Sequence, residues 1–316
     1  MISDRTIVQV VDNDADIQEA VEAVLKYFNI FRHALYIHEI HKFLQVETTR
    51  QELLDTLNEM VREGRIFCDY GLYALTSSSQ IYLKRIVGAD VAAEKMKEAS
   101  RSARMISRFP FVKGICVSGS LSKGYADENS DIDFFIITAN QRLWICRTML
   151  HLFKKLTFLI NKQHSFCMNY FIDEGQLCLD EQNLFTATEL ATLIPMYNMD
   201  TYEMLMAQNI DWIKAEYFPN VCVLQEDLQK NNKLTLKRSA EWVFNSLRPQ
   251  AVNKFLMNLT DTLWRYKWKR KNYPMEDYDL AMKTKWYVSK HHPLNYQKKV
   301  LERHMKDSYQ SPAMDI

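Results

Sequence analysis

The chain has 316 residues, 47% of them apolar, which is material for two or three cored domains. Few Gly and Pro residues (seven of each) among many Leu, Met, Lys and Glu imply a mainly helical chain. The net charge of +1 hides an asymmetry: residues 228–316 carry eighteen Lys and Arg against eight Asp and Glu, net +10, so residues 1–227 carry −9. A basic tail of that kind meets an anion or the acidic front of the chain. Cys68, Cys116, Cys146, Cys167, Cys178 and Cys222 show no CxxC spacing, which excludes a zinc ribbon or a disulfide framework. They read as reduced residues of a cytoplasmic protein. The start, MISDRTIVQV, lacks the shape of a signal peptide. The most apolar helix, about 141–160, contains Arg142, Arg147, His151, Lys154 and Lys155, which argues against a membrane span.

In chain order, Asp16-x-x-Glu19 reads as a capping box for a first helix with Ile17, Val21, Val24, Leu25 and Phe28 inward. Leu35–Leu44 fits a second helix. Thr49-x-x-Glu52 caps a third, with Leu53, Leu57 and Met60 on one face and Gly64 at its end. Residues 65–76 read as two short strands around a turn at Asp69–Gly71. This arrangement, over 1–78, resembles a winged helix-turn-helix domain. The third helix carries Glu52, Asp55, Glu59 and Glu63 beside Arg50 and Arg62, an acidic face that would repel a duplex. A protein-contact role, including a homodimer, or a purely structural cap fits better than DNA binding.

Ser79–Arg108 reads as one long helix or two, with a basic face of Lys95, Lys97, Arg101, Arg104 and Arg108. Pro110 ends it. Val112–Val117 is β-rich, Ser118-Gly119-Ser120 breaks the run, and 127–130 is a polar loop. Asp131-Ile132-Asp133 then opens an apolar strand through Ile137. Residues two apart on a strand share a face, so Asp131 and Asp133 present paired carboxylates. A close carboxylate pair calls for a cation or a shared proton, and a hard divalent ion such as Mg²⁺ or Mn²⁺ is its natural partner. Gly119 lets backbone approach a ligand closely.

The Gly119-Ser120 pair, ten intervening residues, Asp131-Ile132-Asp133 and the following apolar strand resemble the signature of the nucleotidyltransferase superfamily that includes DNA polymerase beta. The resemblance covers about 110–175. It implies an α+β fold: a small mixed-sheet catalytic core over 79–180, flanked by the winged helix domain at 1–78 and a helical domain at 181–316. It implies transfer of a nucleoside monophosphate from an NTP, ATP foremost, to an acceptor hydroxyl with release of pyrophosphate. Asp131 and Asp133 would hold two ions, Asp173 would be the third metal ligand, Gly119 and Ser120 would bind the β,γ-phosphates, and Lys123 would neutralise them. Asn169 and Phe171 share Asp173's face by period two, and Asn169 in the third position would leave the site a carboxylate short. The acceptor stays open among small molecule, RNA and protein. The alternative is a regulatory or interaction protein whose core senses nucleotide without turning it over.

Beyond the core, Asn140 reads as the cap of helix 141–160, and His164–Ile172 as the next strand, with a last short strand at Leu177–Leu179. The remainder reads as helical: 183–197 broken at Pro195, then 201–218 stopped by Pro219, then helices near 234–247, 250–272, 277–288 and 294–308. Trp264 and Trp268, four apart within WRYKWKRK, fit one buried helical face as well as a base-stacking surface. KHHP at 290–293 reads as a turn with surface histidines.

Overall fold

A computed structural model describes residues 13–157, 166–225, 235–246 and 249–309. The chain divides into two units. One holds the described residues up to Tyr82, with Lys214–Val221 and those from His304; the other holds Leu83–Ile213 and Cys222–Arg303.

The first unit runs α1 (Asn13–Asn29), β1 (Leu35–Tyr36), α2 (Ile37–Phe43), α3 (Arg50–Arg62), β2 (Phe67–Asp69) and β3 (Leu72–Ala74). Its three strands form an antiparallel sheet in the order β1-β3-β2. Ile17, Val21, Leu25, Ile40, Leu53, Leu57 and Met60 are buried, as the helical spacing requires. The Thr49 capping box forms: the Thr49 hydroxyl accepts from Glu52 N at 3.2 Å, and Glu52 accepts from Thr49 N at 2.8 Å. The Asp16 box does not, because the chain is already helical at Asn13. Leu35 and Tyr36 pair with β3, so the second helix starts only at Ile37. Glu52, Asp55, Glu59 and Glu63 are all exposed. From later in the chain, Phe218 packs edge-on to Phe43 at 5.2 Å, and Asn220 donates to Val46 O.

α4 (Ser79–Ile106) leads into the second unit, where β4 (Val112–Ser118), β5 (Asp133–Thr138), α5 (Leu143–Thr157), β6 (Cys167–Asp173), α6 (Leu184–Ala191) and β7 (Ile194–Tyr197) follow. Next come α7 (Met199–Ala207), α8 (Ile210–Glu216), α9 (Thr235–Asn245), α10 (Pro249–Arg270), α11 (Tyr278–Ala281), β8 (Thr284–Lys285), β9 (Val288–Lys290) and α12 (Tyr296–Tyr309). Six strands form one mixed sheet in the order β7-β4-β5-β6-β9-β8. β5 and β6 are its parallel pair, which demands a crossover, supplied through α5. Phe134, Ile136, Trp144, Leu150 and Phe171 form the core beneath the sheet, with Ile115 and Val117.

Several expected helices are strands. Ile194–Tyr197 joins the sheet edge, where Pro195 pairs with Cys116; an edge strand tolerates the missing N–H. Residues 284–290 fold as the hairpin β8-β9, so only the short α11 remains of the helix expected at 277–288. Leu177–Leu179 forms no strand; instead the buried Asn209 donates to Leu177 O and accepts from Leu179 N, and the same residue divides α7 from α8. Residues 158–165, within the expected ends of α5 and β6, lie outside the described residues.

Trp264 and Trp268 share a face, packed with Tyr278 and Met282, and both rings contact the half-buried His291 at 4.6 and 5.9 Å. The basic tail does meet acidic groups. Lys283 and Lys285 both reach Asp180, at 2.6 and 2.9 Å. Burial alone would raise the Asp180 carboxyl, but hydrogen bonds from Lys283, Tyr287 and Lys285 hold it well below the usual carboxylate range.

Candidate active site

β4 and β5 run antiparallel with Ser118 opposite Asp133. The turn that leaves β4 therefore lies directly over the start of β5. Gly119 takes φ +70°, and a Cβ there would fall 2.8 Å from Asp133 Oδ2. Only glycine provides both the backbone angle and the clearance. A single short turn, Leu121–Lys123, follows Ser120, and Gly124 closes it at φ +65°. The Gly119 carbonyl accepts from Ser122 Oγ at 2.9 Å and from Lys123 Nζ at 3.1 Å. Lys123 also pairs with Glu189 of α6 at 2.7 Å.

α4 braces the loop from outside. Lys95 Nζ donates to Ser130 O at 2.7 Å and to Glu128 O at 3.2 Å, and Arg85 donates to Gly124 O at 2.6 Å. Gly88 leaves room for the Tyr125 ring, which a Cβ would meet at 2.3 Å. Lys95, which the sequence placed on a basic face, thus has a definite partner in the loop.

Asp131 is exposed, just ahead of β5, and Asp133 is half-buried at its start. Burial pushes the Asp133 carboxyl up to about 6; the Cys167 thiol opposes this, while the charges of Asp131 and Glu189 add to it. Two further carboxylates, Asp131 and Glu189, thus act on Asp133. Asn169 Nδ2 donates to Asp133 Oδ1 at 3.1 Å and lies 3.1 Å from Cys167 Sγ.

Asp173 is elsewhere. It pairs with Thr138, at the far end of β5, whereas Asp133 pairs with Cys167. The five residue steps from Asp133 to Thr138 span roughly 16 Å of strand. Fully buried, Asp173 accepts from Gly175 N at 2.9 Å through Oδ1, while its Oδ2 has no hydrogen-bond partner. Asn169 is the β6 side chain that stands at Asp133. The period-two expectation for Asn169, Phe171 and Asp173 fails because β6 carries an extra residue between its pairs with Asp133 and Phe135. Beyond that bulge Tyr170 stacks on Phe135 at 4.7 Å, and Phe171 turns into the core.

Burial raises the Asp173 carboxyl to about 6, against the nearby backbone amides of Gly175, Gln141 and Arg142, which lower it. The folded state then binds more protons than the unfolded one between about pH 4 and 6, so stability falls as pH rises through that window. Asp173→Asn keeps an acceptor for Gly175 and removes this titration. Its urea midpoint is expected to vary less between pH 4 and 6.5 than the wild type's, by roughly 3 kcal/mol in unfolding free energy. An unchanged slope would assign the pH dependence to other groups.

Residues 102–177 match the family model described as a nucleotidyltransferase domain. The match spans the Gly119 turn, both aspartates and Asn169, and it supports nucleotidyl transfer as the general function. No curated protein and no solved structure matches the chain. Among the described residues, no three His, Cys, Asp or Glu stand together as a metal-holding group. The donor set nevertheless fits a divalent cation at two points. Asp131 and Asp133 are oxygen donors, and a cation would offset both the burial that raises the Asp133 carboxyl and the Asp131 charge that adds to it. Among the described residues no helix is long and apolar enough to cross a membrane.

Proposed function

We propose that the second unit transfers a nucleoside monophosphate from an NTP, ATP foremost, to an acceptor hydroxyl, releasing pyrophosphate, with Mg²⁺ or Mn²⁺ held by Asp131 and Asp133. The observation that carries this reading is the pairing of Ser118 with Asp133, which sets the Gly119-Ser120 turn against the carboxylate. Backbone approach for phosphates and a carboxylate pair for their counter-ion lie within one turn of each other. A divalent ion bound there would supply the positive charge that acidifies the acceptor hydroxyl and stabilises the α-phosphate oxygens. The chain's own residues position the rest. Asn169 orients the Asp133 carboxylate through its amide hydrogen bond. Lys123 clamps the turn and places a cation beside the phosphates. Lys95 holds the loop that presents Asp131.

The first unit is proposed as a winged helix-like module for protein contact, self-association included, in a cytoplasmic protein. Its element order and β1-β3-β2 sheet support the module, and the exposed acids of α3 argue against DNA.

Calorimetric titration tests the nucleotide site. ATP is expected to bind in Mg²⁺ and to lose at least about tenfold in affinity in EDTA or in Asp131→Ala. Equal binding in all three conditions would sink the metal role of the aspartates. Tight metal-dependent binding without turnover would favour the nucleotide sensor, a reading that Asn169 at the third position also supports.

A further inference from the structure

A cleft of about 110 Å³ starts at Ser118 and Gly119, passes Asp133, and ends against β9 and the residues that lead into α12. Its walls are mainly apolar: Phe135, Tyr170, Leu179, Phe185, Leu190 and Leu193. Apart from Asp133, its charged groups are engaged within the protein. Glu189 pairs with Lys123, Glu181 pairs with Lys283, and Lys290 donates to Gln297 at 2.5 Å. Burial holds His292 neutral, with its pKa down at about 4. One polar group is left over. Asn295 is 6% exposed and lines the cleft, and its Nδ2 has no hydrogen-bond partner. A buried donor without an acceptor is costly and points to a ligand atom.

On the transferase reading, the sheet order puts this cleft on the acceptor side. The phosphate turn leaves β4, Asp133 starts β5, and the cleft continues over β6 to β9. Attack on the α-phosphorus must come in line, opposite the departing pyrophosphate. With the pyrophosphate on the β4 side, the nucleophile enters from the β6 side.

We propose that this cleft is the acceptor site, and that the acceptor is an uncharged hydroxyl compound whose body is about one ring in size, hydrogen-bonded by Asn295. The proposal rests on the transferase reading above. The acceptor oxygen forms a bond to the α-phosphorus, the bond from that phosphorus to the bridging oxygen breaks, pyrophosphate leaves with the electron pair, and the hydroxyl proton goes to solvent. A dry apolar cavity of roughly 150 Å³ holds benzene, which sets the scale for the occupant. A polyanion such as an RNA end needs a free cationic groove, and a polyamine sugar needs unpaired carboxylates. The cleft's lysine, Lys290, is buried and bonded to Gln297, its glutamates are ion-paired, and its remaining carboxylate, Asp133, is the proposed metal ligand.

The probe is p-cresol, followed by ligand-observed NMR with Mg²⁺ and α,β-methylene-ATP present. Cresol is expected to bind the wild-type protein, with affinity about tenfold lower in Leu193→Trp, which fills the cleft, and in Asn295→Ala, which removes the donor. Nucleotide binding should be unchanged in Asn295→Ala, which carries the test if Leu193→Trp does not fold or itself weakens nucleotide binding. Label from ATP appearing on cresol, or on a protein tyrosine with cresol competing, supports the assignment and separates a free ring from a protein-borne one. Absence of cresol binding while nucleotide still binds, or label passing to RNA or kanamycin, overturns the acceptor assignment alone. Loss of metal-dependent nucleotide binding in the wild type overturns the transferase reading and this inference with it.

Discussion

Asp133→Asn is expected to lower nucleotidyl transfer at least about a thousandfold while leaving the protein folded. The substitution keeps the side chain's size and an acceptor oxygen for Asn169. It removes the charge that a divalent ion requires. The same charge is a burden to the fold, because burial and the nearby acids raise this carboxyl to about 6. Above that pH the native state holds an ionised group that it disfavours, so a neutral amide should leave stability at pH 8 equal or higher. Steady-state transfer together with urea unfolding at pH 8 separates the two effects. A variant that loses activity by losing its fold would show the midpoint falling; a variant that keeps activity would remove Asp133 from the mechanism.

Gly119→Ala should be the most damaging single methyl in the molecule's site. At φ +70° an alanine is strained, and its Cβ would stand 2.8 Å from Asp133 Oδ2. The carboxylate is the softer of the two neighbours, so it moves, and it is the group whose position matters. A displacement of about 1 Å can cost on the order of a hundredfold in rate. The expected result is therefore about a hundredfold loss of transfer with roughly 1–3 kcal/mol of stability lost. Gly64 provides the control. It sits at φ +73° in the first unit with nothing within 4 Å of its would-be Cβ. Gly64→Ala should cost roughly 1 kcal/mol through backbone strain and leave transfer intact. Equal kinetic effects at the two glycines would contradict the steric account of Gly119.

The contrast between these residues and Asp173 shows what the sequence carries. Gly119, Ser120, Asp131 and Asp133 lie on one hairpin-like excursion, so spacing along the chain nearly determines their spacing in three dimensions. Phe134 and Ile136, in the apolar run that follows, lie in the core. Asp173 and Asn169 are on a different strand, and their relation to Asp133 depends on the register of a parallel pair. A one-residue bulge in β6 altered which side chains share the cleft, and no local pattern announced it. Glu189 and Asn295 were further out of reach, since α6 and the segment before α12 are brought to Asp133 only by tertiary folding. The hairpin of 284–290 reads as helix in the sequence for a related reason: Lys285 and Val288 gain their strand geometry from pairing in the sheet, not from propensity. The capping box at Thr49 was legible because both partners lie within four residues.

The most direct measurement is transfer of label from α-labelled ATP, and in parallel from the other three ribonucleotides, in Mg²⁺ or Mn²⁺ with cell extract as the source of acceptor. Wild-type protein is compared with the Asp131→Ala/Asp133→Ala double variant. The account predicts label on an acceptor in the wild type alone, with stoichiometric pyrophosphate. Label transferred equally by both proteins, or by neither under conditions where nucleotide does not bind, would contradict the reading of residues 119–133 as a nucleotidyl-transfer site.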